Sequence, residues 1–221
     1  MRPIRLFMPA LSTANASLFY TGTPVSGTAL TLLQTIVDVA QRRIALTYGN
    51  ESSQRLLVIK GTNWQGDVWS ETLTIPANQA GGTVVSQLDY LTLTSAVPQG
   101  GGWTANATLG TYGGGTTAIA STPWARLDDY GFGPVSYTVA VTGSSAANCT
   151  VQRSADDPNN LSPLPVIAPS SMVWVNHPNL VNITASAMDY DAAKYLWAKM
   201  VMNSGNGPMY LIVDQAGGKG G

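Results

Sequence analysis

Short apolar segments with a period of two, cut every eight to ten residues by Gly, Asn, Ser or Pro, limit this chain more than any other feature. "RRIALTYG" (42–49), "QRLLVIKGT" (54–62) and "DVWSETLTI" (67–75) are rich in Val, Ile, Leu and Thr. Their spacing predicts an antiparallel meander. Leu56 to Ile59 are apolar at every position, the pattern of a central strand covered on both faces. In the next segment Trp69, Leu73 and Ile75 share one face, and Ser70, Thr72 and Thr74 the other.

The second half repeats the style. "PVSYTVAVTG" (134–143) and "NCTVQRSA" (148–155) read as one hairpin. "AKYLWAKMVMN" (193–203) and "PMYLIVDQA" (208–216) read as another, closed around Asn206-Gly207, a pair suited to tight turns because both residues tolerate positive φ. A helix is the rival over 187–202, where Ala, Met, Leu and Lys are good helix formers; the facing "YLIVD" favours a strand. Glycines 113–115 and the break at Ser121-Thr122-Pro123 suggest a boundary near residue 120.

The expected fold is all-β: two tandem antiparallel β-sandwich domains, jelly-roll or immunoglobulin-like, each of about 100 residues. Residues 1–30 are expected to form an extended N-terminal arm, 31–120 the first sandwich, and 121–221 the second. The second would carry a proline-rich loop at 156–180 and a Gly-rich C-terminal tail, "QAGGKGG".

Only 10% of the residues are charged, and 11 basic against 12 acidic side chains leave a net charge of −1. A typical soluble chain carries roughly a quarter charged residues, so this surface lacks the repulsion that keeps monomers apart and suits burial against partners. The absence of a basic excess argues against nucleic acid as a ligand. No apolar run approaches the roughly 18 residues of a membrane-spanning helix. The start superficially copies a signal peptide, but Pro3 and Pro9 interrupt its short apolar run, and cleavage is not expected.

Chemistry is sparse. Cys149 is the single cysteine and His177 the single histidine, which excludes an internal disulfide, a thiolate cluster and a two-histidine metal site. No Gly-x-Ser-x-Gly elbow accompanies His177, so a structural hydrogen bond is its expected role, and a core position that of Cys149. Asp128–Asp129 and Asp156–Asp157 are the clustered carboxylates. They could converge as a glycosidase acid and base or as calcium ligands, but aspartate bonds to its own backbone in turns, and that suffices. No catalytic residue, cofactor or metal is assigned. The tryptophans remain: Trp64 at a hairpin end, and Trp103, Trp124 and Trp174 beside Gly, Pro or loop residues. Tryptophan is enriched at interfaces, which makes these four the candidate contact residues.

The run "RRIALTYGNESSQRLLVIKGTNWQGDVWSETLTIP…GGTVVSQLDYLTLTSA", followed in order by "STPWARLDDY", "YTVAVTG", "CTVQRSADDP", "WVNHPNL" and a closing hairpin ending "VDQAG", resembles structural proteins of tailed bacteriophages. It departs from their pattern at Trp64 and Trp69, where polar or small residues are usual. The resemblance implies a non-enzymatic virion component. The first expectation is a head decoration or cement protein, made in the host cytoplasm, located on the capsid surface, and binding itself, with a trimer favoured, and the major capsid protein. The alternatives are a head-to-tail, tail or fibre component and, in another class, a carbohydrate-binding module or glycan hydrolase. A binding module would place aromatics on one sheet face.

Overall fold

The computed structural model describes residues 3–113, 118–127, 134–142, 147–158, 167–193 and 195–215. The protein is all-β, built from several antiparallel sheets. Among the described residues the one helical element is a 3-10 turn at Pro169–Ser171. The chain divides into two compact units, a terminal unit of Met1–Leu11 with Gly114–Gly221 and a central unit of Ser12–Gly113.

In chain order, β1 (Ile4–Met8) belongs to the terminal unit. The central unit holds β2 (Tyr20–Gly22), β3 (Gln41–Arg42), β4 (Ile44–Glu51), β5 (Arg55–Thr62), β6 (Val68–Ile75), β7 (Gln79–Val85), β8 (Thr92–Gln99) and β9 (Ala107–Thr111). The terminal unit continues with β10 (Ala120–Ser121), β11 (Ala125–Arg126), β12 (Val135–Val141), β13 (Ala147–Ser154), β14 (Val175–Asn176), β15 (Ala187–Asp191), β16 (Trp197–Gly205) and β17 (Met209–Gln215).

The central unit has a four-stranded sheet, β2-β9-β4-β7, and a three-stranded sheet, β6-β5-β8. The expected meander is therefore split. The β5–β6 hairpin forms as read, from Arg55 opposite Ile75 to Thr62 opposite Val68, but β4 pairs with β7 and β9 instead of β5. Both sheets contribute alternate residues to a core that includes Phe19, Ile44, Leu46, Leu57, Ile59, Leu73, Ile75, Leu93 and Leu109. Trp69 and Ile75 lie on the buried face of β6, and Ser70, Thr72 and Thr74 are exposed, as the alternation predicts.

In the terminal unit β1-β17-β12-β15 form one sheet, and β14-β13-β16-β10 another, with β11 pairing to a further stretch of β16. Neither expected hairpin of the second half exists. β12 pairs with β17 and β15, β13 with β16 and β14, so 134–143 and 148–155 lie in different sheets. The segments before and after Asn206-Gly207 likewise lie in different sheets, β16 in one and β17 in the other. Each connection crosses between sheets, because both of the strands it joins have an apolar face to bury against the other sheet. The resulting core includes Met8, Tyr137, Val139, Cys149, Val151, Met200, Met202, Met209, Leu211 and Val213.

The expected N-terminal arm is instead folded structure. Ile4 to Met8 pair with Val213 to Met209 along the edge of a sheet, and Leu6, Met8 and Leu11 are buried. Pro3 and Pro9 bracket this strand, where a missing N–H costs least. Residues 12–30 pack on the central unit: the Phe19 amide donates to the Leu109 carbonyl at 2.8 Å, and the Thr111 amide to the Asn15 carbonyl at 2.9 Å. The chain passes from the central to the terminal unit between Gly113 and Gly114, and its first eleven residues join the second half. Part of the 156–180 loop is strand, Val175 and Asn176 pairing with Arg153 and Gln152. The "QAGGKGG" tail, residues 215–221, lies almost wholly outside the described residues, which end at Gln215.

Candidate functional site

The polar candidates resolve into structural roles where they are described. Asp128 and Asp129 lie outside the described residues. Asp156 accepts a bond from the Val173 amide, while its own amide donates to Ser154 Oγ at 3.1 Å, tying two loop segments together. Asp157, beside it, is half-buried. Among the described residues no group of three or more His, Cys, Asp or Glu side chains is placed to hold a metal ion. Cys149 is fully buried, and burial pushes its thiol up to about 12, so no thiolate nucleophile is available near neutral pH.

His177 sits in a buried polar cluster under the terminal sheets. Its ring packs edge-on against Tyr137, with centroids 5.4 Å apart. Nδ1 accepts the Asn179 amide at 3.3 Å, which puts the proton of the neutral ring on Nε2. Nε2 lies 3.7 Å from Asp191 Oδ1 and has no hydrogen-bond partner. Asp191 is held instead by Arg153, in a buried ion pair, and Asp189 by Asn179 Nδ2 at 2.7 Å. Burial lowers the His177 pKa below its ordinary value; Asp191 and Asp189 oppose that, and Arg153 adds to it.

Because the folded state holds His177 less basic than the unfolded chain does, the unfolded chain takes up the proton first as pH falls. Stability should therefore decline as pH drops below about 6.5. Thermal melts between neutral pH and pH about 5.5 should show this decline for the wild type and a shallower one for His177→Gln; parallel slopes would remove His177 as its source.

Two faces of the terminal unit carry features that suit binding. The first is the outward face of β1-β17-β12-β15. Alternation turns Met8, Leu211, Val213, Tyr137 and Val139 inward and leaves Phe7, Tyr210, Ile212, Met188 and Tyr190 on the other side, together with Arg5, Ser136, Thr138 and Asp214. Phe7 is opposite Tyr210, their rings stacked at 4.7 Å. Ile212, Thr138 and Met188 form one row across three strands. Met188 is 72% exposed and Tyr190 66%. Within the described residues β15 pairs only with β12, and His177 and Asn179 lie against its Asp189.

The second is a face of β14-β13-β16. Cys149, Val151, Ala198, Met200 and Met202 point into the core. Their alternates, Thr150, Gln152, Lys199, Val201 and Asn203, line the opposite side, with Gln152 beside both Asn176 and Lys199. At one end stand Trp124, Trp174 and Trp197, all half-buried. Trp124 lies 5.1 Å from Trp174 and 6.1 Å from Trp197 between ring centroids. Lys199 Nζ sits 4.3 Å over Trp174, a cation–π contact. At the other end a cavity of about 370 Å³ is lined by Thr150, Gln152, Asn176, Asn182, Val201 and Asn203, with Ala118 and Val181.

Of the four tryptophans singled out from the sequence, Trp124 and Trp174 are thus brought together. Trp64 is half-buried in the Asn63–Asp67 turn of the β5–β6 hairpin, its amide bonded to Gln41 Oε1. Trp103 is corrected: it is only 6% exposed and offers no contact surface. Trp197 was missed as a partner. The signal was its alternation with Lys199 and Val201, which puts it on the face opposite Met200 and Met202.

The chain matches no protein-family model, no curated protein and no solved structure.

Proposed function

We propose that this protein is a non-enzymatic structural component of a phage virion that works by self-association, in the first instance as a head decoration or cement protein built of two-sheet β-sandwich units. The observation that carries self-association is the outward face of β1-β17-β12-β15, with Phe7, Met188 and Tyr190 exposed on it. Large apolar side chains exposed on one sheet face suit an interaction surface, and within the described residues β15 is an edge strand, the kind that accepts another strand. The sparse charge supports the same reading, because an obligate interface of over about 2,000 Å² removes such a surface from water. The occupant is a second copy of this chain. The phage assignment rests on the sequence resemblance.

Light scattering on the purified protein tests the core of this reading. The wild type should be a stable oligomer, a trimer in the favoured form, and should sediment with capsids that lack it. Met188→Glu combined with Tyr190→Lys should weaken assembly by roughly 30-fold, the scale of one interface hot spot of about 2 kcal/mol. A monomeric wild type, or an unchanged mass in the double variant, overturns it. A monomer that also ignores capsids shifts the reading to a tail component.

A further inference from the structure

We propose that the amide-lined cavity on the β14-β13-β16 face is a binding site for a neutral saccharide. This site is independent of self-association and shares no residue with the outward face of β1-β17-β12-β15.

The lining decides the ligand class. The eight described residues that line the cavity are all uncharged, so among them nothing compensates a phosphate, a carboxylate or an ammonium group. Its polar groups are amides and a hydroxyl. Each amide side chain carries both donors and acceptors, as does each sugar hydroxyl. The volume, about 370 Å³, falls in the range of small-ligand sites.

The hydrogen-bond inventory leaves capacity for a guest. Asn203, 4% exposed, forms part of the floor. Its Nδ2 faces three acceptors: Asn148 Oδ1 at 2.9 Å, Thr150 Oγ1 at 2.9 Å and Asn182 Oδ1 at 3.0 Å. An NH₂ group has two protons for those three acceptors, so one acceptor remains for a ligand hydroxyl. Asn182 stands on the exposed rim and is the one a ligand reaches. On the opposite rim Gln152 Nε2 donates to Asn176 Oδ1 at 3.0 Å. That bond leaves Gln152 Oε1 and Asn176 Nδ2 to meet a hydroxyl.

Apolar surface adjoins the polar cavity. Trp174 stands just before β14, and Lys199, which contacts it, is the cross-strand neighbour of Gln152. A sugar chain running from the cavity towards Trp174 would meet hydroxyl partners first and an aromatic surface next. A pyranose presents the same two kinds of surface, polar edges and an apolar face.

The experiment is a screen of the full chain on an array of short neutral oligosaccharides, glucans, galactans, xylans and N-acetylglucosamine oligomers, followed by calorimetric titration of the best binder. Two rim variants provide the test. Asn182→Gly keeps a backbone that already sits at φ 56°, a region open to glycine, and removes only the amide; Gln152→Ala removes the other rim. Each should weaken binding at least tenfold with an unchanged circular dichroism spectrum. Absence of binding to any neutral oligosaccharide, binding confined to charged sugars, or binding unchanged in both variants overturns the proposal.

Discussion

Glu51→Ala is expected to destabilise the central unit by about 3 to 5 kcal/mol, the cost of leaving a buried charge without its partner. Glu51 ends β4 and is 1% exposed. Its carboxylate accepts four bonds: Arg55 Nε at 3.0 Å, the Thr104 amide at 3.0 Å, Thr104 Oγ1 at 3.0 Å and the Ala105 amide at 3.0 Å. Arg55, 5% exposed, is also bonded to the Gly100 carbonyl. One side chain thus joins the end of β4, the start of β5 and the loop after β8. Alanine would strand the guanidinium and two backbone amides at once.

Burial raises the Glu51 pKa, but the bonds from Ala105, Thr104 and Arg55 outweigh it and hold the carboxyl below its ordinary range. A depressed folded-state pKa means that this contribution is complete above the unfolded value of about 4.3 and is lost as pH falls through the folded one. Urea unfolding near neutral pH should show the full effect, and the gap between wild type and Glu51→Ala should narrow in acid. A loss under about 1 kcal/mol near neutral pH would mean that water reaches the site once the carboxylate is gone.

Gly61→Ala is expected to cost about 3 kcal/mol or to prevent folding of the central unit, at the upper end of overpacking effects. A Cβ at Gly61 would lie 1.9 Å from the Thr92 carbonyl oxygen and 2.7 Å from the Tyr90 ring. The obstacle is backbone in the neighbouring strand, so no rotamer relieves it. The β5–β8 register shifts between Lys60 and Gly61, where Lys60 faces Ser95 and Gly61 faces Leu93, and this irregularity brings the two strands close. Gly66→Ala provides the contrast within the same hairpin: no atom lies within 4 Å of a Cβ there, and only its positive φ of 84° opposes the change. Thermal melts should rank Gly61→Ala well below Gly66→Ala. Equal stability would show that β8 can move aside, and would overturn the steric reading.

Strand existence was legible in the sequence because it depends on a local pattern. The Val-, Ile-, Leu- and Thr-rich segments became strands, and the faces of β6 followed from alternate residues. Pairing was legible for the β5–β6 hairpin and not beyond it. Asn206-Gly207 looks like a hairpin turn locally, yet β16 and β17 join different sheets, because the choice depends on which partner buries the apolar face of each strand. The same limit governs the first eleven residues. A five-residue strand completed by β17, some 200 positions later in the chain, leaves no trace in its own neighbourhood.

The candidate sites divide along the same line. Composition by itself determined a weakly charged chain and a lone thiol with no disulfide partner within it. Only the tertiary structure decided that Trp103 is buried, that Trp124, Trp174 and Trp197 meet, and that Thr150, Asn182 and Asn203, 53 positions apart at the extremes, share one cavity. The sequence specifies each strand's inward and outward faces through the period-two geometry of the backbone. Which outward faces are covered, and which stay open to a partner, is settled by long-range burial between sheets.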